Sequence, residues 1–312
     1  MFHHWSHTHL REKAIAVFGV QTVTEFYASQ FAPIFDKIAD PLFVSLGSGD
    51  GTQEIEIVES LVAKGYDRFH FLGLELNPIL VDAANQLARS KALGPLISFQ
   101  VCDVNRGGLS PQLFDINGRS PRHEVHGFMA QHSLHHIVEL EQTFDFIDQY
   151  LAEDGRFLTL DVIGRNGHMR WPEALAVVEA VWDKLPERYR YNHQHKKLYS
   201  TFVDWDCSGY GFEGIRAQDI LRLMVERFTF EKFLGAGGFI DVFVDRAFGP
   251  NFDPTNDGDR LLIDCLEGIN DMLVDRGIIK PTLIYASVMK KRPGVIPKVY
   301  KNRTPEFCIR RP

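Results

Sequence analysis

An open, doubly wound α/β sheet, mostly parallel, is the fold class this sequence predicts. Three observations predict it. Short apolar runs alternate with helical segments from about residue 41 to residue 163. The first run, Phe43-Val44-Ser45-Leu46, enters a loop with glycines at alternate positions, Gly47, Gly49 and Gly51. At 312 residues the chain can bury a full core without disulfides or metals. Strict alternation implies parallel strands with helices on both faces. Seven strands are expected, with helical and aromatic insertions capping the sheet.

Taken in order, residues 10–38 read as a helix, with Ala14, Val17, Phe18 and Phe26 on its apolar positions. Residues 43–46 are the first strand, and a helix over 52–64 follows. The second strand covers 69–75. Pro78 opens a helix that runs to residue 93 and ends at Gly94-Pro95. Strands three and four cover 96–102 and 125–130. A helix over 137–151 ends before Asp154-Gly155, and the fifth strand spans 156–163. After that the rhythm breaks. Residues 172–185 and 218–226 read as helices, 228–234 and 282–289 as two late strands, and a further helix lies near 260–275.

This divides the chain into a helical extension (1–40), a main domain (41–290) and a basic tail (291–312). Insertions fall at about 165–217 and 236–280 of the main domain. Net charge is −7, with 24% charged and 45% hydrophobic residues. Such a balance fits a globular protein and argues against a general nucleic-acid binder. From residue 290 onward, however, Lys290, Lys291, Arg292, Lys298, Lys301, Arg303, Arg310 and Arg311 oppose Glu306 alone. The tail reads as a solvated terminus, with contact to an anionic surface as the other reading. Cys102, Cys207, Cys265 and Cys308 form no CxxC pair, which suits reduced thiols. No run of about 18 apolar residues and no signal-peptide pattern is present, so a cytoplasmic protein is expected.

The glycine loop carries the most information. Glycines allow positive φ and a close approach of ligand to backbone, and the helix that follows offers free N–H groups. A dinucleotide loop needs G-x-G-x-x-G, but here Thr52 stands where its third glycine belongs. The pattern G-x-G-x-G after a first strand resembles motif I of the class I S-adenosylmethionine-dependent methyltransferases. Glu75 ends the second strand, where a carboxylate can accept both ribose hydroxyls. Asp103, beside Val104, ends the third and resembles the family's adenine-recognising acid. The fourth ends in Gln131-His132-Ser133-Leu134-His135-His136, close to the stretch after motif IV in small-molecule methyltransferases. The resemblance covers about residues 40–165.

It implies S-adenosylmethionine as cofactor, held by Gly47, Ser48, Gly49, Gly51, Glu75, Leu76, Asp103, Val104 and Gln131. A hydroxyl acceptor needs a base for its proton, and His is the usual choice. His132, His168 and His136 are the candidates. Arg165, Asn166, Arg170 and Trp205 are candidate acceptor ligands, although the arginines could instead tie the cap to the core. Nine aromatic residues lie between 171 and 212, either as the cap's own core or as a pocket for a ring or sugar face. The glycine-rich run from Trp205 to Gly214 reads as a lid. Segments such as GRNGHMRWPEAL resemble a poorly characterised bacterial methyltransferase group associated with surface polysaccharide. That likeness implies a small or glycan-type hydroxylated acceptor.

No metal is expected. His132 and His136 are four apart, but no H-E-x-x-H glutamate accompanies them and no third ligand is dictated. His3, His4, His7 and His9 could take up metal adventitiously. Two other classes stay open: a catalytically silent methyltransferase-like binding protein and a nicotinamide oxidoreductase. Oligomeric state is open too, a homodimer being one outcome, with the N-terminal helix and second insertion as contact surfaces.

Overall fold

The structure, a computed structural model, describes residues 1–116 and 124–310. The N-terminal segment forms α1 (Phe2–Trp5), one π-helical turn (Ser6–Leu10) and α2 (Arg11–Phe18). It does not run on to residue 38 as one helix. Gly19 takes φ 74° and closes α2. Thr22 then caps α3 (Val23–Phe31): its side chain accepts from Glu25 N at 3.1 Å, and Glu25 Oε2 accepts from Gln21 N at 2.7 Å.

The alternating region follows as β1 (Leu42–Leu46), α4 (Thr52–Ala63), β2 (His70–Glu75), α5 (Pro78–Ser90), β3 (Ile97–Val101), β4 (Val125–Gln131), α6 (Leu140–Tyr150) and β5 (Leu151–Val162). All five residues of β1 are buried, as a central parallel strand requires. Asn77 caps α5 and Pro78 fills its first position. β5 starts earlier than expected. Its Leu151 pairs with Val125 but Arg156 pairs with Gly127, so the Asp154-Gly155 turn signal marks a bulge inside the strand.

The second half adds α7 (Pro172–Trp182), the short hairpin β6 (Tyr191–Asn192) and β7 (Lys197–Leu198), α8 (Ala217–Arg227), β8 (Phe228–Ala236), α9 (Asp241–Val244) and α10 (Asp257–Asp275). β9 (Leu283–Lys290), β10 (Lys298–Val299) and α11 (Pro305–Cys308) end the described chain. The main sheet has eight strands in the order β3-β2-β1-β4-β5-β9-β8-β10. β9 runs antiparallel to β5 and β8, and the other neighbouring pairs are parallel. This is the doubly wound α/β architecture expected, with one strand more. One face is covered by α2–α5, α7 and α10. The other is covered by α6, α8 and α11. The order reverses between β1 and β4, which opens a crevice at their C-terminal ends.

The eighth strand comes from the basic tail, which is not a solvated terminus. Arg303 is fully buried and pairs with Asp271 at 2.8 Å and Asp275 at 2.7 Å, both on α10. Lys13 of α2 joins them, 2.9 Å from Asp271 and in contact with Glu267. Arg310 pairs with Glu173 at 2.8 Å, and Lys301 with Asp275 at 2.6 Å. Arg311 lies outside the described residues. These partners leave much of the tail's charge engaged within the fold rather than offered to an anionic surface. No helix among the described residues is long and apolar enough to cross a membrane.

Candidate active site

Residues 47–51 turn sharply at the end of β1. Gly47, Gly49 and Gly51 have φ of 73°, 55° and 74°. Close packing requires glycine at two of the three positions, and the third stands apart. A Cβ on Gly47 would lie 2.6 Å from Ser133 Cβ, and one on Gly51 would lie 2.6 Å from Phe99 Cζ. A Cβ on Gly49 would meet nothing within 4 Å. The backbone at Gly49 therefore faces open space, where a ligand can approach it.

Glu75 spans the crevice edge. Its Oε2 accepts from Gly49 N and its Oε1 from Asn77 N, both at 2.9 Å. Leu76 beside it is exposed. Asp103 Oδ1 accepts from Asn105 N at 3.0 Å, so it caps the short turn that begins at Val104. Ser48 Oγ and Gln131 Oε1 are buried at the ends of β1 and β4 without a hydrogen-bond partner. A buried polar atom left unpaired costs about 1–3 kcal/mol. Two of them beside an open glycine loop fit a site that takes a polar ligand.

Beyond β4 the chain turns through His132, whose φ is 49°. The loop is pinned from both sides. Ser133 Oγ donates to Leu46 O at 2.6 Å. Asp161, wholly buried near the end of β5, accepts from Ser133 N at 3.0 Å, Leu134 N at 2.8 Å and His135 Nδ1 at 2.6 Å. Burial alone would raise the Asp161 pKa, but the His135 bond and charge outweigh it and hold the carboxyl below its usual range. Conversely, burial would lower His135, and Asp161 reverses that and raises it.

The cap supplies Glu213 to this loop. His168 Nε2 donates to Glu213 Oε1 at 2.7 Å. His135 Nε2 and His136 Nε2 stand 3.5 and 3.6 Å from the two oxygens of the same carboxylate. His168 also has positive φ, 56°. Its pKa is lowered, chiefly by burial. His132 is not in this convergence. Its residue is exposed, and burial of the ring by the surrounding protein pushes its pKa below the usual imidazole value.

The structure thus brings His132, His136 and His168 to one crevice, but in different environments. It does not leave the acceptor candidates free. Arg170 N donates to both oxygens of Asp204 at 3.0 Å, and its guanidinium contacts His168 O. Arg165 donates to Arg170 O at 3.3 Å. Asn166 exchanges bonds with Gln218 at 3.4 and 3.2 Å. Arg165 and Arg170 thus brace the cap internally, and Asn166 joins it to the start of α8. Trp205 is half-exposed and stacks on Tyr210, with ring centroids 6.3 Å apart. The run from Trp205 to Gly214 packs on the start of the cap, with Gly214 O accepting from Gly167 N at 2.9 Å and Gly167 O from Cys207 N at 3.0 Å.

Sequence reasoning assigned no catalytic or binding role to Asp161, His135 or Glu213, and read His135 as packing and capping around the pocket. Asp161 carried a usable signal, because it is a carboxylate near a strand's C-terminal end, like Glu75. Glu213 carried none, since only the fold of the cap brings it to β4. Two surface hollows, one at Arg190 and Tyr199 and one at Val177 and Val181, share no residue with the crevice.

No family model matches the chain, and no curated protein matches it in sequence. Solved structures do resemble it. A geranyl diphosphate methyltransferase in complex with GPP and sinefungin aligns at 13% identity and TM-score 0.46, covering 86% of this chain and 77% of that one. An O-methyltransferase from a trans-AT PKS multienzyme of Brevibacillus brevis, in complex with S-adenosyl-L-homocysteine, aligns at 15% identity and TM-score 0.46. That match covers 85% of this chain and 71% of the other. The geranyl diphosphate C-methyltransferase of Streptomyces coelicolor A3(2) aligns at 13% identity and TM-score 0.43, over 91% and 86%. The fold described above rests on the sheet's own order and does not depend on these likenesses.

Proposed function

We propose that this chain is an S-adenosylmethionine-dependent methyltransferase acting on a small or sugar-like hydroxylated acceptor. One observation carries the reading: Glu75 Oε2 lies 2.9 Å from Gly49 N, across an open glycine loop at the switch point of the sheet. A ligand amino-acid group can lie against the loop while the strand-two carboxylate faces a ribose. Gly47, Ser48, Gly49 and Gly51 would hold the amino-acid part, with Gln131 at the β4 end. Glu75 and Leu76 would flank the ribose, and Asp103 and Val104 the adenine. The unpaired Ser48 Oγ and Gln131 Oε1 would gain partners from the same ligand.

When bound, the cofactor supplies a methyl group on a sulfonium centre. The chain's own part is to align the acceptor oxygen with that methyl and to receive its proton. His132 is the first candidate base, because its ring stands outside the Glu213 cluster that engages the other histidines. His168 and His136 follow. Residues 41–290 form the catalytic unit in this reading, with 165–217 and 236–280 as its insertions. A cytoplasmic protein with a small-molecule partner follows from the same reading, as a monomer or a homodimer.

Calorimetric titration tests it. S-adenosylmethionine and its demethylated product should bind at micromolar level while NAD and NADP do not. Binding of a nicotinamide cofactor alone would replace the reading with an oxidoreductase. Cofactor binding without turnover of a labelled methyl group in acceptor-containing extract would favour the silent binding protein.

A further inference from the structure

His135, His136 and Glu213 meet at a spacing that hydrogen bonding does not explain. The 3.5 and 3.6 Å separations between the two Nε2 atoms and the carboxylate are long for N–H···O bonds. The nitrogens face different oxygens, Oε1 and Oε2, so the spacings fit one ion held by the carboxylate through both: bonds of about 2.1 Å at a tetrahedral angle put ligand atoms roughly 3.4 Å apart. One ligand atom from each of the three residues lies within 4.8 Å of the others.

The ring orientations agree. His135 Nδ1 donates to Asp161 Oδ1 at 2.6 Å, and His136 Nδ1 donates to Gly211 O at 3.2 Å. With Nδ1 protonated, a neutral ring keeps its lone pair on Nε2, the atom facing Glu213. A carboxylate or carbonyl behind the imidazole is the usual support of a metal-bound histidine. His168 Nε2, 2.7 Å from Glu213 Oε1, holds the carboxylate in place from the cap side.

We propose that His135, His136 and Glu213 bind one divalent first-row transition ion, with His168 and Asp161 as positioning residues, which leaves His132 alone of the three candidate bases. Two imidazoles and one carboxylate suit Zn²⁺, Fe²⁺, Mn²⁺ or Co²⁺, whereas Mg²⁺ and Ca²⁺ favour oxygen ligands. Three protein ligands leave a position open. An oxygen of the acceptor takes it, a statement that rests on the methyltransferase reading, whereas the metal site itself does not. The ion thereby explains why Glu213 is brought from the cap to the β4 loop.

A second cluster must be removed before the test. His4 Nε2 and His9 Nε2 each lie 2.8 Å from Asp264 Oδ1 of α10. The full chain carrying His4→Ala and His9→Ala is therefore stripped with chelator and titrated with Co²⁺, Zn²⁺ and Mn²⁺ by calorimetry. Cobalt absorption is followed in parallel. One equivalent should bind, with visible bands of a nitrogen- and oxygen-ligated cobalt. His136→Ala and Glu213→Gln should each weaken it by more than about tenfold. Both side chains are partly exposed, and circular dichroism checks that each variant is folded. No binding in the double-alanine background, or binding unchanged in both folded variants, overturns the site. S-adenosylmethionine is titrated into the same samples. Cofactor binding without metal binding removes only the metal centre; metal binding without cofactor binding leaves the centre and removes the methyltransferase reading.

Discussion

His135 Nδ1 lies 2.6 Å from Asp161 Oδ1, with the carboxylate wholly buried. This contact joins the loop after β4 to the end of β5, and three backbone N–H groups, of Ser133, Leu134 and Val162, share the same acid. Asp161→Asn turns an amide NH2 or a weaker acceptor toward four donors. Breaking a buried pair of this kind costs about 3 kcal/mol. Urea unfolding should show that loss; a change below about 1 kcal/mol would mean the loop is held by Ser133 and packing instead.

Gly49 and Gly51 separate ligand approach from folding. Gly51→Ala adds a methyl 2.6 Å from Phe99 Cζ and 2.7 Å from Ala84 Cβ at a φ of 74°. It should cost about 2–4 kcal/mol through strain and overpacking. Gly49→Ala meets no atom, so it should cost only about 1 kcal/mol. Its methyl enters the open space, so cofactor affinity should fall more than tenfold by calorimetry. Wild-type affinity in Gly49→Ala would place the ligand elsewhere.

His132→Gln tests the base. Turnover should fall by about 10²–10⁴ while cofactor affinity stays within about twofold. His168→Gln should act through Glu213, with a smaller loss. Normal turnover in both variants would end the general-base assignment.

Glu54 gives the fold a pH dependence of its own. Burial raises its pKa to about 7 despite the Ser45 hydroxyl at 2.7 Å, and its Oε2 has no partner. The folded state thus holds a proton that the unfolded state, near 4.5, releases. Stability from this group falls as pH rises from about 4.5 to about 7 and stays low above that. The shift corresponds to about 3 kcal/mol at most. Glu54→Gln should therefore gain on wild type between pH 5 and pH 8 in urea melts. A difference that does not vary with pH would show that Glu54 ionises freely.

The sheet was legible because strand and helix periods alternate with clear punctuation: Pro78 opens α5 and Gly51 opens α4. The glycine loop and Glu75 were legible because a strand end fixes where its next residues point. The break at Gly19 was also readable, since Thr22 and Glu25 form a capping pair, but helical periodicity across it masked the signal. The tail was not readable. Its arginines look solvated in one dimension, and only the packing of α10 against it buries Arg303. Glu213 was hidden for the same reason: its meeting with His135 and His136 depends on how an insertion folds back.

The placement of β9 governs how the chain must be assembled. β9 is synthesised after β8, yet it lies between β8 and β5 in the finished sheet. Until residue 290 has emerged, β5 presents a long apolar edge with unpaired backbone groups, and β8 has no neighbour on that side. Such an edge is a template for self-association, and its closure waits on contacts between distant parts of the chain. Nascent chains halted before residue 283 should aggregate on release, whereas chains carried through Lys290 should stay dispersed. The vulnerable interval in the life of this protein is the time a ribosome needs to cross from β8 to β9.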